Sequence, residues 1–275
     1  MTDSPYPLPS AHIEALFTRQ KNVFGFHHGV SGGLLSRTMM LAELSLVLGQ
    51  TKPDASRAEI SSAIVEHNIL GKPTSSSRIK SYKHLVELYG LNPEKALFRT
   101  LRRFAVLDPT ALPTIAIVCV FCRDPQLRAT FGLIRSLSLG DHLPRHRVEA
   151  FLAAAFPDRF SAASLKSIAQ NTSASWTSAG HLAGRAKKHR AHPVVRSLAV
   201  AYAMFAGYLA GLRGPRLLQS EFGELATAQP ALIPSHLSIA SARGLLGFKQ
   251  AGGVVEFDFT PLLTPAEIAL VDVTD

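Results

Sequence analysis

The sequence predicts a mainly α-helical protein: a multi-helix array with helix-turn-helix and winged-helix-like elements and a small C-terminal β-hairpin. Three observations carry that expectation. Helix-capping signals recur along the first half of the chain, apolar residues repeat at helical spacing, and only the segment after Gly247 shows the alternation of a strand. With 275 residues, 47% of them hydrophobic, the chain has enough apolar material for a sizeable core in one or two domains. The pattern divides into a lead-in over 1–30, a helical domain over 31–158 and a basic helical domain over 159–275.

The lead-in carries one short amphipathic turn from His12 to Phe17, the adjacent pair His27 and His28, and a loop at Ser31, Gly32 and Gly33. Leu35, Met39, Ala42 and Leu46 then follow i, i+4, i+7 spacing and predict a buried helical face stopped by Gly49. Ser56 and Glu59 form a capping box, in which each side chain satisfies an open amide at the helix start, and Ile60, Ala63 and Ile64 continue it as a core stripe. A break over Asn68 to Pro73 precedes a helix beginning at Thr74, with Ile79, Tyr82, Val86 and Tyr89 on its apolar face and Gly90 closing it. Asn92-Pro93, Asp108-Pro109 and Asp124-Pro125 each set a capping oxygen before a proline, and those prolines stand sixteen residues apart, which fits helices of about three turns. Further helices are expected at 144–156, 162–171, 176–189, 194–212 and Ser235 to Leu246. The end of the chain reads as a hairpin, with Gly252-Gly253 turning into Val254–Phe259.

Charge is the main functional signal. Between Arg159 and Arg216 stand nine Lys or Arg residues and no Asp or Glu, while the formal net charge of the chain is +9. A long stretch of one sign points to a polyanionic partner, most simply nucleic acid. Two segments have helix-turn-helix spacing. In Ser56 to Leu88 the second helix opens with short hydroxyl donors and cations, and Ser75, Ser76, Arg78, Lys80 and Lys83 are the candidate contacts. In Leu165 to Arg190, Asn171–Ser175 reads as the turn and Trp176 to His189 as the second helix, with Thr177, Ser178, His181, Arg185, Lys187, Lys188 and Arg190 as candidates. Trp176, the single tryptophan, reads first as a core anchor and second as a stacking platform for a base.

Other chemistry finds no pattern. Phosphate-loop, dinucleotide, nucleophile-elbow and zinc-protease motifs are missing, so no catalytic residue and no cofactor is assigned. Glu256 and Asp258 share a strand face with only Lys249 near, which makes no catalytic set. His181, His189 and His192 lack a carboxylate or thiol at ligand spacing, and Cys119 with Cys122 read as two buried thiols, so no metal is expected. The longest apolar run, Ser197 to Leu212, is shorter than the roughly 20 residues of a membrane span and reads as a core helix. No secretory leader is recognised in Met1 to Ser10, and a cytoplasmic protein is expected. The residues leave four classes open: a DNA-binding protein with duplex as first choice, a scaffold for acidic protein partners, an RNA-binding protein, and a dimeric transcription regulator.

A resemblance adds to this. Gly33-Leu34-Leu35, Leu41-Ala42-Glu43-Leu44, Leu48-Gly49, Val65-Glu66-His67-Asn68-Ile69-Leu70 and Thr74-Ser75-Ser76-Ser77-Arg78 resemble BrxA-type proteins of BREX phage-defence systems, as a member or a divergent relative. The likeness covers approximately residues 30–160. It implies a small, helical, non-enzymatic DNA-binding protein acting beside other proteins of a defence complex: a methyltransferase, an ATPase and a phosphatase-like partner. This chain is longer, and the Trp176 segment, the basic run and the terminal hairpin lie outside the matched part.

Overall fold

The computed structural model describes residues 23–27 and 33–272. The expected turn at His12–Phe17, together with His28, Ser31 and Gly32, lies outside those residues. The chain is mainly helical, with helices α1 Leu41–Gln50, α2 Arg57–Val65, α3 Ser75–Tyr89, α4 Ala96–Leu107, α5 Leu112–Phe121, α6 Pro125–Arg135, α7 Arg145–Ala155, α8 Ala162–Ser178, α9 Ser197–Leu209, α10 Pro215–Leu218, α11 Glu221–Ala226, α12 Ile233–Ala242 and α13 Pro265–Asp272. Strands β1 His142–Leu143, β2 Leu182–Ala183 and β3 Lys188–Arg190 form one antiparallel sheet, and β4 Gly247–Ala251 pairs with β5 Val254–Asp258 in a hairpin. Gly252 and Gly253, both at positive φ, make the hairpin turn as their sequence predicts.

Local signals set several boundaries. The Ser56 hydroxyl accepts from the Glu59 amide while the Glu59 carboxylate accepts from the Ser56 amide, completing the capping box of α2; such a cap is worth about 1 kcal/mol. Asp124 caps α6 ahead of Pro125. Its neighbour motifs behave differently. Asp108 caps a single 3-10 turn, Pro109–Ala111, that runs into α5, and Asn92 closes a turn on the Glu94 amide so that α4 starts only at Ala96.

Tertiary contacts rotate two faces away from the expected ones. Residues 34–40 are not helical beyond the 3-10 turn Gly33–Leu35, because the Leu34 amide donates to Asp124 and the Met39 amide to Ser175 Oγ. α1 therefore begins at Leu41 and buries Leu44, Val47 and Leu48, leaving Ala42 and Leu46 exposed and Gly49 inside the helix. In α3 the buried residues are Ser81, Leu85, Leu88 and Tyr89, while Ile79 stays exposed and Gly90 at φ 79° ends the helix.

The largest departure is at α8. The helix runs unbroken through Asn171–Ser175, where a turn is expected. Hydroxyl side chains favour turns by competing for backbone groups, but here they bond back within the helix: Thr172 to the Ile168 carbonyl and Ser175 to that of Asn171, while the Asn171 amide reaches the Leu34 carbonyl. α8 then stops at Ser178, and 182–190 is a strand pair rather than the tail of a helix over 176–189.

α9 is the central element. From Leu198 to Gly207 every residue is buried, and the helix packs against α4, α5, α11 and α12. Its bounds lie inside the expected 194–212, and α12 likewise ends at Ala242, short of Leu246. No helix among the described residues is long and apolar enough to cross a membrane. Cys119 and Cys122 are free thiols buried in α5 and at its end, and burial pushes Cys119 up to about 11, so both stay protonated at neutral pH.

Candidate nucleic-acid interface

From Pro125 to Arg190 the chain runs α6, β1, α7, α8, β2, β3, and β3 lies between β1 and β2. His142 pairs with His189 and Leu143 with Lys188 on one side; Leu182 pairs with Arg190 and Ala183 with His189 on the other. α8 packs on α7, α6 and β2. Trp176 holds that arrangement. It is buried, stacks on Phe131 of α6 at 5.6 Å between centroids, and donates its indole N–H to Thr130 Oγ1 at 2.9 Å. The core-anchor reading of Trp176 is the one the contacts support, and the base-stacking alternative falls away.

The β2–β3 turn is Gly184-Arg185-Ala186-Lys187. Gly184 sits at φ +94°, and a Cβ there would lie 2.1 Å from the Lys187 carbonyl oxygen, so no other residue fits without opening the turn. Lys188 Nζ donates to the Gly184 carbonyl at 2.7 Å, tying the ends of the turn together, and partial burial lowers its pKa. Arg185 and Lys187 are exposed at the tip. Replacing Gly184 with Ala is expected to open this turn and raise the rate of tryptic cleavage after Arg185 and Lys187 by about tenfold or more, a strain of roughly 1–3 kcal/mol. An unchanged digestion rate would show that the turn does not depend on Gly184.

Beside the tip lies a groove of about 510 Å³, lined by His142 of β1, Arg145 at the start of α7, Gln170 and Ser173 of α8, and Arg185 and Lys188 of the hairpin, with no carboxylate among the described residues of its wall. Arg145 donates to Glu149 one turn along at 2.7 Å and remains exposed. α8 also exposes Ala163, Lys166 and Ser167 on its first turns. Cations from α7 and from the hairpin thus line a groove along one side of α8.

The other expected contacts divide. Arg190 and His181 leave the set, because both are buried. Arg190 donates to the His181 carbonyl at 2.9 Å and to that of Ala191, and works as an internal brace of β3. His181 packs edge-on against Trp176 and Phe131, with neither ring nitrogen in a hydrogen bond. Burial and then the neighbouring Arg190 guanidinium push its pKa down to about 3, opposed by a backbone contact at Leu225 whose geometry falls short of a hydrogen bond. Thr177 and Ser178 sit in the last turn of α8, with their hydroxyls donated to the Ser173 and Ala174 carbonyls rather than outward.

At the first segment, Ser75, Ser76, Lys80 and Lys83 are exposed on α3, behind a Thr74–Ser77 capping box, and α3 packs against α2. Arg78 instead turns back to the Glu66 carbonyl at 3.2 Å and braces the α2–α3 connection. None of these five lines the groove beside α8. Of the remaining cations in the acid-free window, Lys166 shares α8, Arg159 lies over the Phe160 ring at 5.5 Å, and Arg213 packs over Tyr208 at 4.0 Å near the end of α9.

Sequence reasoning missed His142, Arg145 and Gln170. β1 is two residues long, too short for alternation to register, and only Gly140-Asp141 before it signals a turn. Compared with models of known protein families and with curated proteins, the chain finds no significant match.

Proposed function

We propose that this chain is a non-enzymatic DNA-binding accessory protein, and that α7, α8 and β1–β3 act as a winged helix on duplex DNA. One observation carries the reading. The strand order β1-β3-β2, threaded by α7 and α8, sets an Arg185–Lys187 tip and a carboxylate-free groove along the exposed side of α8. A wing beside a helix is a geometry in which the helix meets the major groove while the hairpin tip meets the backbone. Arg185, Lys187, Lys188 and Lys166 supply phosphate contacts in this reading, and Ser167 and Gln170 face the base edges. α3, with Ser75, Ser76, Lys80 and Lys83, offers a second, weaker contact.

The BrxA-like motifs in the first half of the chain support placing this activity in a cytoplasmic BREX-type defence system, with other proteins of that system as partners. The reading requires no cofactor and no catalytic group.

The test is a fluorescence-anisotropy titration on duplex DNA across a salt series. Combining Arg185→Ala, Lys187→Ala and Lys188→Ala should lower the slope of log K against log salt by about 0.9 for each phosphate no longer neutralised, hence by about 2 to 3. An unchanged slope rejects the assigned face. Tighter binding to structured RNA or to single strands at equal salt would reject duplex DNA as the ligand.

A further inference from the structure

A second cationic site lies away from the groove. Between the first turn of α2, the end of α3 and the start of α4 is a cavity of about 280 Å³, lined on its polar side by Arg57, Asn92, Lys95 and Arg123 and on its apolar side by Val86 and Phe98. Among the described residues no carboxylate lines it. We propose that this cavity binds a small phosphorylated ligand, an organic phosphate of about nucleotide size.

Three features argue for a built site. Arg123 is buried at 8% exposure and fixed by the carbonyls of Glu87 at 3.1 Å, Val86 at 3.0 Å and Gly25. Its charge is therefore positioned but met only by neutral oxygens, and a desolvated guanidinium favours an anion beside it. Arg57 and Lys95 make no ion pair or hydrogen bond through their side chains among the described residues, so three cationic side chains line the cavity without a salt-bridge partner there. Burial lowers the Arg123 pKa.

The wall is also left bare where a ligand needs room. Gly25 and Gly90 line the cavity at φ +102° and +79°; a Cβ on Gly25 would stand 3.2 Å from Lys95 Cβ, and one on Gly90 would stand 3.3 Å from Arg123 Nη1. Side chains at these two positions would press on the groups that hold the anion. The volume of about 280 Å³ and the Phe98–Val86 wall fit a whole small molecule with an apolar ring, whereas a duplex presents isolated phosphates on a convex rod; the cavity is thus assigned to a small ligand rather than to DNA.

The experiment uses the full chain, with inorganic phosphate, a nucleoside 5′-monophosphate and a DNA duplex as separate probes at constant ionic strength, followed by calorimetric titration and thermal unfolding. The nucleotide should bind with measurable heat and raise Tm by about 2 °C or more, with inorganic phosphate weaker. Arg57→Gln and Lys95→Gln, which alter exposed or half-buried side chains, should each weaken nucleotide binding by about tenfold with Tm of the free protein little changed. The Arg185→Ala, Lys187→Ala, Lys188→Ala variant should bind the nucleotide as the parent does, which separates this site from the DNA face. No heat and no Tm rise at millimolar nucleotide overturns the proposal. So does nucleotide binding undiminished in the Arg57→Gln, Lys95→Gln double variant, or duplex binding that this double variant alone abolishes.

Discussion

Acidification is expected to destabilise this protein through His181. Its folded pKa, about 3, lies below the value of about 6.5 for an exposed imidazole, so the unfolded chain takes up a proton that the folded chain refuses. The stability held by the neutral ring is complete above about pH 6.5 and is lost as pH falls from there toward 3. Each pH unit in that window removes about 1.4 kcal/mol, or about 2 kcal/mol by pH 5, against a total of about 5–15 kcal/mol for an ordinary domain. Urea unfolding at pH 7, 6 and 5 on the parent and on His181→Leu isolates the effect. Asp124, whose pKa burial raises, works in the opposite direction, and it cancels in the difference between the two proteins. The parent should lose stability more steeply than the variant; parallel curves would mean that the imidazole is hydrated or already charged in the folded state.

Replacing Trp176 with Ala is expected to cost about 3–5 kcal/mol, because the indole fills a sealed space between α6 and α8 and its N–H has a buried partner. Circular dichroism in urea measures that cost without needing the tryptophan. Trp176→Phe keeps the stack on Phe131 and gives up the bond to Thr130, so its cost should be less than half as large. A cost below about 1 kcal/mol for the Ala variant would place the ring outside the core. Because Trp176 seats α8, binding to DNA should weaken along with stability in the Ala variant, while the exposed-tip substitutions weaken binding alone.

What the sequence discloses follows the range of the forces involved. Ser56–Glu59, Asp124-Pro125, Gly90 and Gly252-Gly253 act over two to four residues, and the boundaries they set appear where expected. Asn171–Ser175 carries equally good turn chemistry, yet α8 passes through it, since Asn171 and Ser175 find partners in residues 34–39, more than a hundred positions away. The rotated faces of α1 and α3 have the same origin. Apolar residues spread over more than one face of each helix, and packing against distant elements decides which of them are covered.

The candidate site was half legible for a related reason. Composition reveals that cations are concentrated after Arg159, and Arg185, Lys187 and Lys188 do gather at one hairpin beside the groove. Composition is silent on which of them turn inward, and Arg190 does so at the end of β3, close in sequence to the exposed Lys187. The partners that complete the groove, His142 and Arg145, come from a strand of two residues and the helix start after it.

Among the described residues the cations in the interior are all arginines: Arg102, Arg123, Arg128 and Arg190. Arg123 and Arg190 are held by main-chain carbonyls, Arg102 by the Ala55 carbonyl and the Thr51 hydroxyl, and Arg128 meets the carbonyl of Phe121. A planar fork with five donors can answer several carbonyls at once, which an ammonium on a flexible stem cannot. The two basic residue types therefore divide the labour. Arginine holds a fixed share of the charge that belongs to the architecture, and lysine carries the share that sequence drift, acetylation or a change of salt can adjust without disturbing the frame.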